Sequence, residues 1–274
     1  MKGKQIMKNK IRITAVFLAA LAAAGMVSCS KKGGNNDGTS QPVSVTTAAP
    51  APVTSDTGTR NDTEADGLEI TPHIVWEQYT EGDDQLILYS ANCPVLSGNP
   101  EWNLEKINAA LEEYCRDYAK ISDIDRVSAK EDYDNLGDRF ESYEKSTDYT
   151  CYVKDGILSL KYDSYESTGG ADDLWVTTAL CFDLKTGERI DLAAFLGKDA
   201  DYAKQYAASA FSLLIKTAPD NYFDNAEAAL PELIDGYCFY LNETGLVLFL
   251  NSCTIAPDAF GQQTVTVAYA NLPT

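Results

Sequence analysis

The sequence predicts an α+β domain, a mostly antiparallel sheet with helices packed on it, preceded by a disordered tether. Three observations carry this. Runs rich in β-branched and aromatic residues lie at both ends of residues 68–274, with helical periodicity between them. Short glycine-bearing turns separate neighbouring runs, which suits hairpins. Residues 30–67 are built from Ser, Thr, Gly, Pro, Asn and Ala and contain no aromatic side chain.

At the N-terminus, MKGKQIMKNKIR holds five basic residues and no acidic one, and the apolar run Ile13–Val27 follows. A basic region, a short apolar region and small residues at its end describe an export signal. The run falls short of the roughly 20 residues a membrane-spanning helix needs. Met26, Val27, Ser28 and Cys29 resemble a lipobox, so residues 1–28 read as a lipoprotein signal peptide and Cys29 as the lipidation site. An uncleaved anchor, or ordinary cleavage leaving a thiol, are the alternatives. Residues 29–67 then form the lipidated cysteine and its linker. Such a composition buries too little apolar surface to offset ordering entropy. Its ends lie on the order of 35 Å apart as a coil, and it reaches on the order of 120 Å when extended.

The remaining stretch, 68–274, is one domain or two closely packed halves. The strings LEITPHIVWEQY and QLILYSANCPVL read as strands around the turn TEGDD. In NPEWNLEKINAALEEYCRDYAK, Leu104, Ile107, Leu111, Tyr114, Cys115 and Tyr118 recur at helical spacing, with a start signal at Asn99, Pro100 and Glu101. The charged segment 121–145 continues or repeats this helix. Its DYDNLG resembles a calcium loop, but Leu136 stands at a ligand position and Tyr143 where a glutamate should close the loop. DYTCYVKDGILSLKYDSYES reads as a hairpin turning at Lys-Asp-Gly, and DLWVTTALCFDLKTGERIDL as a second one. LAAFLG and DADYAKQYAASAFSLLIK return to helical periodicity through Tyr202, Tyr206, Phe211 and Leu214. Strands close the chain in YCFYLNETGLVLFLNS and QTVTVAYANL.

Charge and cysteine content narrow the function. The chain has 41 acidic and 22 basic residues, and loss of the five signal basics takes its net charge from −19 to −24. That opposes nucleic acid and anionic headgroups and favours cationic partners; a solvated acidic surface is the plainer reading. Beyond Cys29 there are six cysteines: Cys93, Cys115, Cys151, Cys181, Cys238 and Cys253. Outside the cytoplasm they permit three disulfides, and their apolar neighbours equally suit buried thiols. With no CxxC and His73 as the one histidine, metal-site spacing is absent and no cofactor is expected. Catalysis by Ser or Cys needs a histidine base, and His73 in ITPHIV reads as a structural residue on a strand. Gly169 and Gly170 join two strands, with neither a helix start nor a lysine after them, so they form no phosphate loop.

CPVLSG, INAAL, GILSLKYDSYESTGGA, FDLKTGERIDL, FYLNETGLVLFL and IAPDAFGQQTVTVAYANL follow one another in this chain. Together, from about 85 to 274, they resemble the RsiV-like extracytoplasmic domain of unknown function. That family includes the outer half of lysozyme-sensing anti-sigma factors and a domain attached to some polysaccharide deacetylases. Its most specific element here is Tyr165, Thr168, Gly169, Gly170 and Ala171. Many members continue with histidine where this chain has Asp172, so an imidazole-dependent role does not carry over. An anti-sigma factor needs a cytoplasmic sigma-binding domain, and a deacetylase a separate catalytic domain with metal-binding histidines. Neither is expected from this sequence, in which about a dozen residues precede the apolar run. The resemblance therefore implies the binding module alone, held at the membrane through a lipid on Cys29.

The expected function is non-catalytic binding of an envelope ligand, either a lysozyme-like cationic protein or peptidoglycan. A carboxylate-pair hydrolase of cell-wall glycan is the alternative. Candidate ligand-binding residues are Tyr162, Tyr165, Gly169, Gly170, Asp172 and Trp175. The aromatic members stack on sugar rings or anchor a partner if exposed, and fill the core if not.

Overall fold

The computed structural model describes residues 67–170 and 173–273. Cys29, the segments 1–28 and 29–66, and Ala171 and Asp172 lie outside the described residues.

Two strands open the domain. β1 (Leu68–Glu81) and β2 (Asp84–Gly98) pair antiparallel as a long hairpin. Its register shifts between Tyr79↔Ile87 and Thr80↔Gln85, leaving Leu86 as an extra residue. This bulge lets Leu86 and Ile87, neighbours that a regular strand would place on opposite faces, both be buried. His73 is on β1 as expected, with its side chain exposed.

Helix α1 (Leu104–Tyr118) buries Leu104, Ile107, Leu111 and Cys115, a stripe at three- and four-residue spacing. The helix starts later than the sequence suggests: Asn99 Oδ1 accepts from the Glu101 N–H at 2.9 Å, a turn before the helix. α2 (Asp123–Leu136) begins with a reciprocal capping box between Ser122 and Asp125. The calcium-like string 132–137 is mostly α2 itself, and 143–145 already belongs to β3 (Tyr143–Lys154).

β3 runs parallel to β2, the connection through α1 and α2 supplying the crossover that parallel pairing needs. It turns into β4 (Ile157–Ser167) through Asp155 (φ 51°) and Gly156 (φ 78°), both left-handed as a two-residue primed turn demands. β5 (Leu174–Asp183) completes a sheet of order β1-β2-β3-β4-β5. The hairpin expected at DLKTGE is reduced to a turn: after it only Arg189 bridges back to Phe182.

Three helices follow: α3 (Leu192–Leu196), α4 (Ala200–Thr217) and α5 (Ala226–Leu233). Asp191 and Asp199 cap the first two, their side chains accepting from backbone N–H groups three residues on. The buried stripe of α4 is Ala203, Ala207, Phe211 and Ile215, rotated from the Tyr202–Tyr206 face the sequence suggests. β6 (Phe239–Leu241), β7 (Gly245–Leu250) and β8 (Gln263–Ala268) form a second antiparallel sheet.

The architecture is α+β and mostly antiparallel, with β2–β3 the parallel pair. α1 and α2 cover one face of the five-stranded sheet, with Ile107, Leu111, Leu158, Leu160 and Tyr162 in the core beneath α1. The lower end of the opposite face packs on the second sheet through Tyr152 and Cys181. Ser159 pins that junction: its Oγ accepts from Leu241 N–H at 2.8 Å and lies 3.4 Å from Cys181 Sγ. Cys93, Cys115, Cys151, Cys181 and Cys238 are buried and Cys253 is exposed, with no disulfide between the described cysteines.

Candidate functional site

The upper end of the second sheet face is left open, and strand register decides what it displays. Side chains alternate faces along a strand. On β4, Leu158, Leu160, Tyr162 and Ser164 are buried toward α1, which sends Lys161, Asp163 and Tyr165 to the other side. Neighbouring strands extend each of these positions into a row.

One row is Trp76↔Ser90↔Ser146↔Tyr165↔Trp175, crossing all five strands. Four strand spacings put its ends about 19 Å apart. Trp76 is 56% and Trp175 63% exposed. Tyr165 tilts against Trp175 with ring centroids 5.0 Å apart. Beneath this row Tyr118, on the last turn of α1, has its hydroxyl 3.0 Å from Ser146 O and 3.3 Å from Tyr165 O, fixing the β3–β4 seam.

The adjacent row is polar. Ile74 pairs with Asn92 on β2, Asp148 with Asp163 across β3–β4, and Asp163 with Thr177 on β5. Asn92 Nδ2 donates to Asp148 Oδ1 at 2.9 Å, joining the β2 and β3 segments of the row. Asp163 accepts from Thr177 Oγ1 at 2.8 Å and from Lys161 Nζ at 2.7 Å. Asn251, just after β7, ends the row: its amide accepts from Thr177 N–H at 2.8 Å and donates to Thr177 O at 3.1 Å. It thereby acts as a strand partner for the edge of β5.

Two carboxylates directly opposite each other repel, and Lys161 offsets one of them. Asn92 is 8% exposed and its Oδ1 has no partner, an acceptor whose desolvation is uncompensated. The row is rich in acceptors and poor in donors, so it suits a ligand that brings hydroxyl, amide N–H or ammonium groups. The aromatic ends suit flat apolar faces.

The residues singled out from sequence separate here. Tyr165 and Trp175 share the open face. Tyr162 is fully buried on the opposite side, 4.7 Å from the Tyr114 ring, where burial drives its hydroxyl pKa well upward. It is a core residue, not a ligand contact. Gly169 has φ 70°, and a Cβ there would lie 2.7 Å from Glu141 O, so it permits close approach of two backbones. Gly170 has open space around it and no left-handed φ, so the constraint expected of both glycines rests on Gly169. Sequence reasoning missed Trp76, Ile74, Asn92, Asp148, Asp163 and Thr177. The one signal for them is polar residues on one face of otherwise apolar strands, and only register gathers them. A groove of about 570 Å³ lies between α4 and α5. Its polar groups are satisfied internally, Glu227 binding both Lys216 and Ser212.

A family model described as deacetylase PdaC matches residues 80–173. The match covers β2, α1, α2, β3, β4 and the glycine turn, and so includes Ser90, Asn92, Ser146, Asp148, Asp163 and Tyr165. A DUF3298 family protein of Bacteroides fragilis is similar in structure, with TM-score 0.51 and 18% identity over 74% of this chain and 91% of that one. A DUF3298 family protein of Pseudomonas aeruginosa gives TM-score 0.47 and 17% identity over 75% and 91%. The first of these shares the fold of this chain. No curated protein matches it.

Proposed function

We propose that this chain is an extracytoplasmic lipoprotein, anchored through Cys29, whose RsiV-like domain binds cell-envelope glycan without turning it over. The observation that carries the reading is the Trp76–Ser90–Ser146–Tyr165–Trp175 row, with its acceptor-rich polar neighbour. Aromatic faces at both ends pack on sugar rings, and Asn92, Asp148 and Asp163 accept from ring hydroxyls and acetamido N–H groups. The segment 80–173 is similar to a model described as deacetylase PdaC, which agrees with a ligand that carries acetyl groups. Binding needs no metal or cofactor.

Titration of soluble peptidoglycan fragments against the purified chain tests this. Saturable binding, weakened at least about tenfold by Trp175→Ala, is expected. Binding indifferent to both Trp76→Ala and Trp175→Ala removes the open face from the reading. Intact mass after expression in a host with lipoprotein processing tests the anchor, and a soluble product starting elsewhere than Cys29 overturns it.

Two other readings have their own support. The charge of −24 and the carboxylates Asp148 and Asp163 on the face favour a basic partner such as lysozyme. Binding to lysozyme that exceeds binding to an unrelated basic protein of equal size, at several salt concentrations, selects it. Asp148 and Asp163, side by side, are also the pair a hydrolase would use. They lie on one flat face rather than on opposite sides of a cleft, and each is held by hydrogen bonds as an acceptor. Release of reducing ends over time selects hydrolysis.

A further inference from the structure

A cluster of thiols lies in the core between the five-stranded sheet and α1, remote from the open face and independent of what binds there. Cys93 is on β2, Cys115 on α1 and Cys151 on β3, all buried in one hydrophobic cluster. The alignment of β2 and α1 is fixed by Asn108, whose amide accepts from Leu96 N–H and donates to Leu96 O, both at 2.8 Å. From Leu96 back to Cys93 is three strand residues, about 10 Å, and from Asn108 on to Cys115 is seven helical residues, also about 10 Å. The two elements run antiparallel across a short connection, so the clamp at one end sets the thiols opposite each other at the other.

Neighbouring contacts agree. Cys93 Sγ is 3.9 Å from Oε2 of Glu112, one turn before Cys115, and the two thiols are near enough to shift each other's pKa in opposite directions. Cys115 Sγ is 3.9 Å from the Tyr162 hydroxyl. Tyr162 pairs with Tyr149, and Cys93 is level with Tyr149 when the β2–β3 register is continued. Cys115 therefore sits above the row that contains Cys93. Cys151 is two residues further along β3, a diagonal of about 8 Å from Cys93, beyond the ~7 Å that a disulfide spans between Cα atoms.

We propose that Cys93 and Cys115 are a disulfide site, closed when the chain folds in contact with an external disulfide. The Cys115 thiolate attacks that disulfide, forming a mixed disulfide and releasing one thiolate. The Cys93 thiolate then attacks the Cys115 sulfur, forming the Cys93–Cys115 bond and releasing the second. The two protons lost by the cysteines end on the two released thiols, so the external disulfide is reduced as the cysteine pair is oxidised. Cys115 is the attacking group: the Cys93 thiol and the Tyr162 hydroxyl, 3.9 Å from its Sγ, lower its pKa, whereas the Cys115 thiol and burial raise that of Cys93. Once closed, the bond ties α1 to the centre of the sheet and joins the two ends of a short loop.

The test is refolding of the full chain from denaturant in a mixture of reduced and oxidised glutathione, followed by alkylation, digestion and mass spectrometry. The expected product is a Cys93–Cys115 linked peptide lacking two hydrogen atoms, with thermal unfolding raised by roughly 5–10 °C over the reduced chain. Cys93→Ser and Cys115→Ser should each abolish that difference while Cys151→Ser preserves it. Recovery of Cys93 and Cys115 as separately alkylated peptides, or linkage of either to Cys151, overturns the proposal. So does a melting difference that persists in Cys115→Ser.

Discussion

The five-stranded and three-stranded sheets use their faces differently. All six residues of β7 are buried, Leu246, Leu248 and Leu250 in one cluster with residues of α3, α4 and α5 and with Tyr152 and Cys181 of the first sheet. In β4, Asp163 is exposed between buried Tyr162 and Ser164, and the strand leaves half of one face to solvent. A strand of continuous burial has no spare side chain to offer a ligand. A strand of alternating burial builds core and displays chemistry with the same backbone, and here the displayed half is where the tryptophans and carboxylates gather.

The largest effect should come from the closed region. Phe211→Ala, in the core that supports β7, removes a fully buried ring and should destabilise by about 3–5 kcal/mol. Denaturant unfolding measures it, and a loss under 1 kcal/mol would erase the contrast. Next comes alkaline pH. Burial pushes the Cys181 thiol at the inter-sheet junction from 9.0 up to about 11. The unfolded thiol ionises above pH 9 while the folded one stays neutral. Its stabilising effect is thus complete below pH 9 and is lost by about pH 11, worth about 2–3 kcal/mol. Cys181→Ala should flatten that part of a stability–pH profile; an unchanged slope would assign it to the buried tyrosines.

The open region should respond more weakly in stability and more strongly in binding. Gly169→Val forces a left-handed position and a clash with Glu141 O, costing about 1–3 kcal/mol. Gly170→Val should be near neutral, and equal melting temperatures for the two variants would sink the distinction. Trp175→Ala should change stability by less than about 0.5 kcal/mol, since the ring is mostly in solvent. A large drop in melting temperature there would mean that Trp175 is part of the fold rather than of a display.

Legibility in the sequence divides along the same line. The hairpins around Gly82 and Asp155–Gly156 are plain because turn chemistry and strand composition are local signals. α4 is legible as a helix, yet its face is misread: Ala203 and Ala207 mark the contact with little hydrophobic weight, while Tyr202 and Tyr206 draw the eye to the wrong side. α5 goes unread because it is short and carries Pro231 inside it. Of the open face, Tyr165 and Trp175 are found because they flank a recognisable turn. Trp76, Asn92 and Asp148 are not, since no local pattern says which strands will be neighbours or in what register.

The parallel seam between β2 and β3 has a consequence for how the chain acquires its fold. The β1–β2 and β3–β4 hairpins each close through a turn of two residues and can form early. Joining them means bringing together strands separated by both α1 and α2, a contact of large sequence separation whose loop entropy must be met before it returns anything. The seam should therefore be the late, rate-setting event. Destabilising substitutions at Ala91 or Thr147, and in the Asp155–Gly156 turn that forms before the seam, should slow refolding more than they speed unfolding. Until the seam closes, the outer edges of two finished hairpins face solvent unpaired, and it is in that interval that a newly made chain is open to pairing with its neighbours instead of with itself.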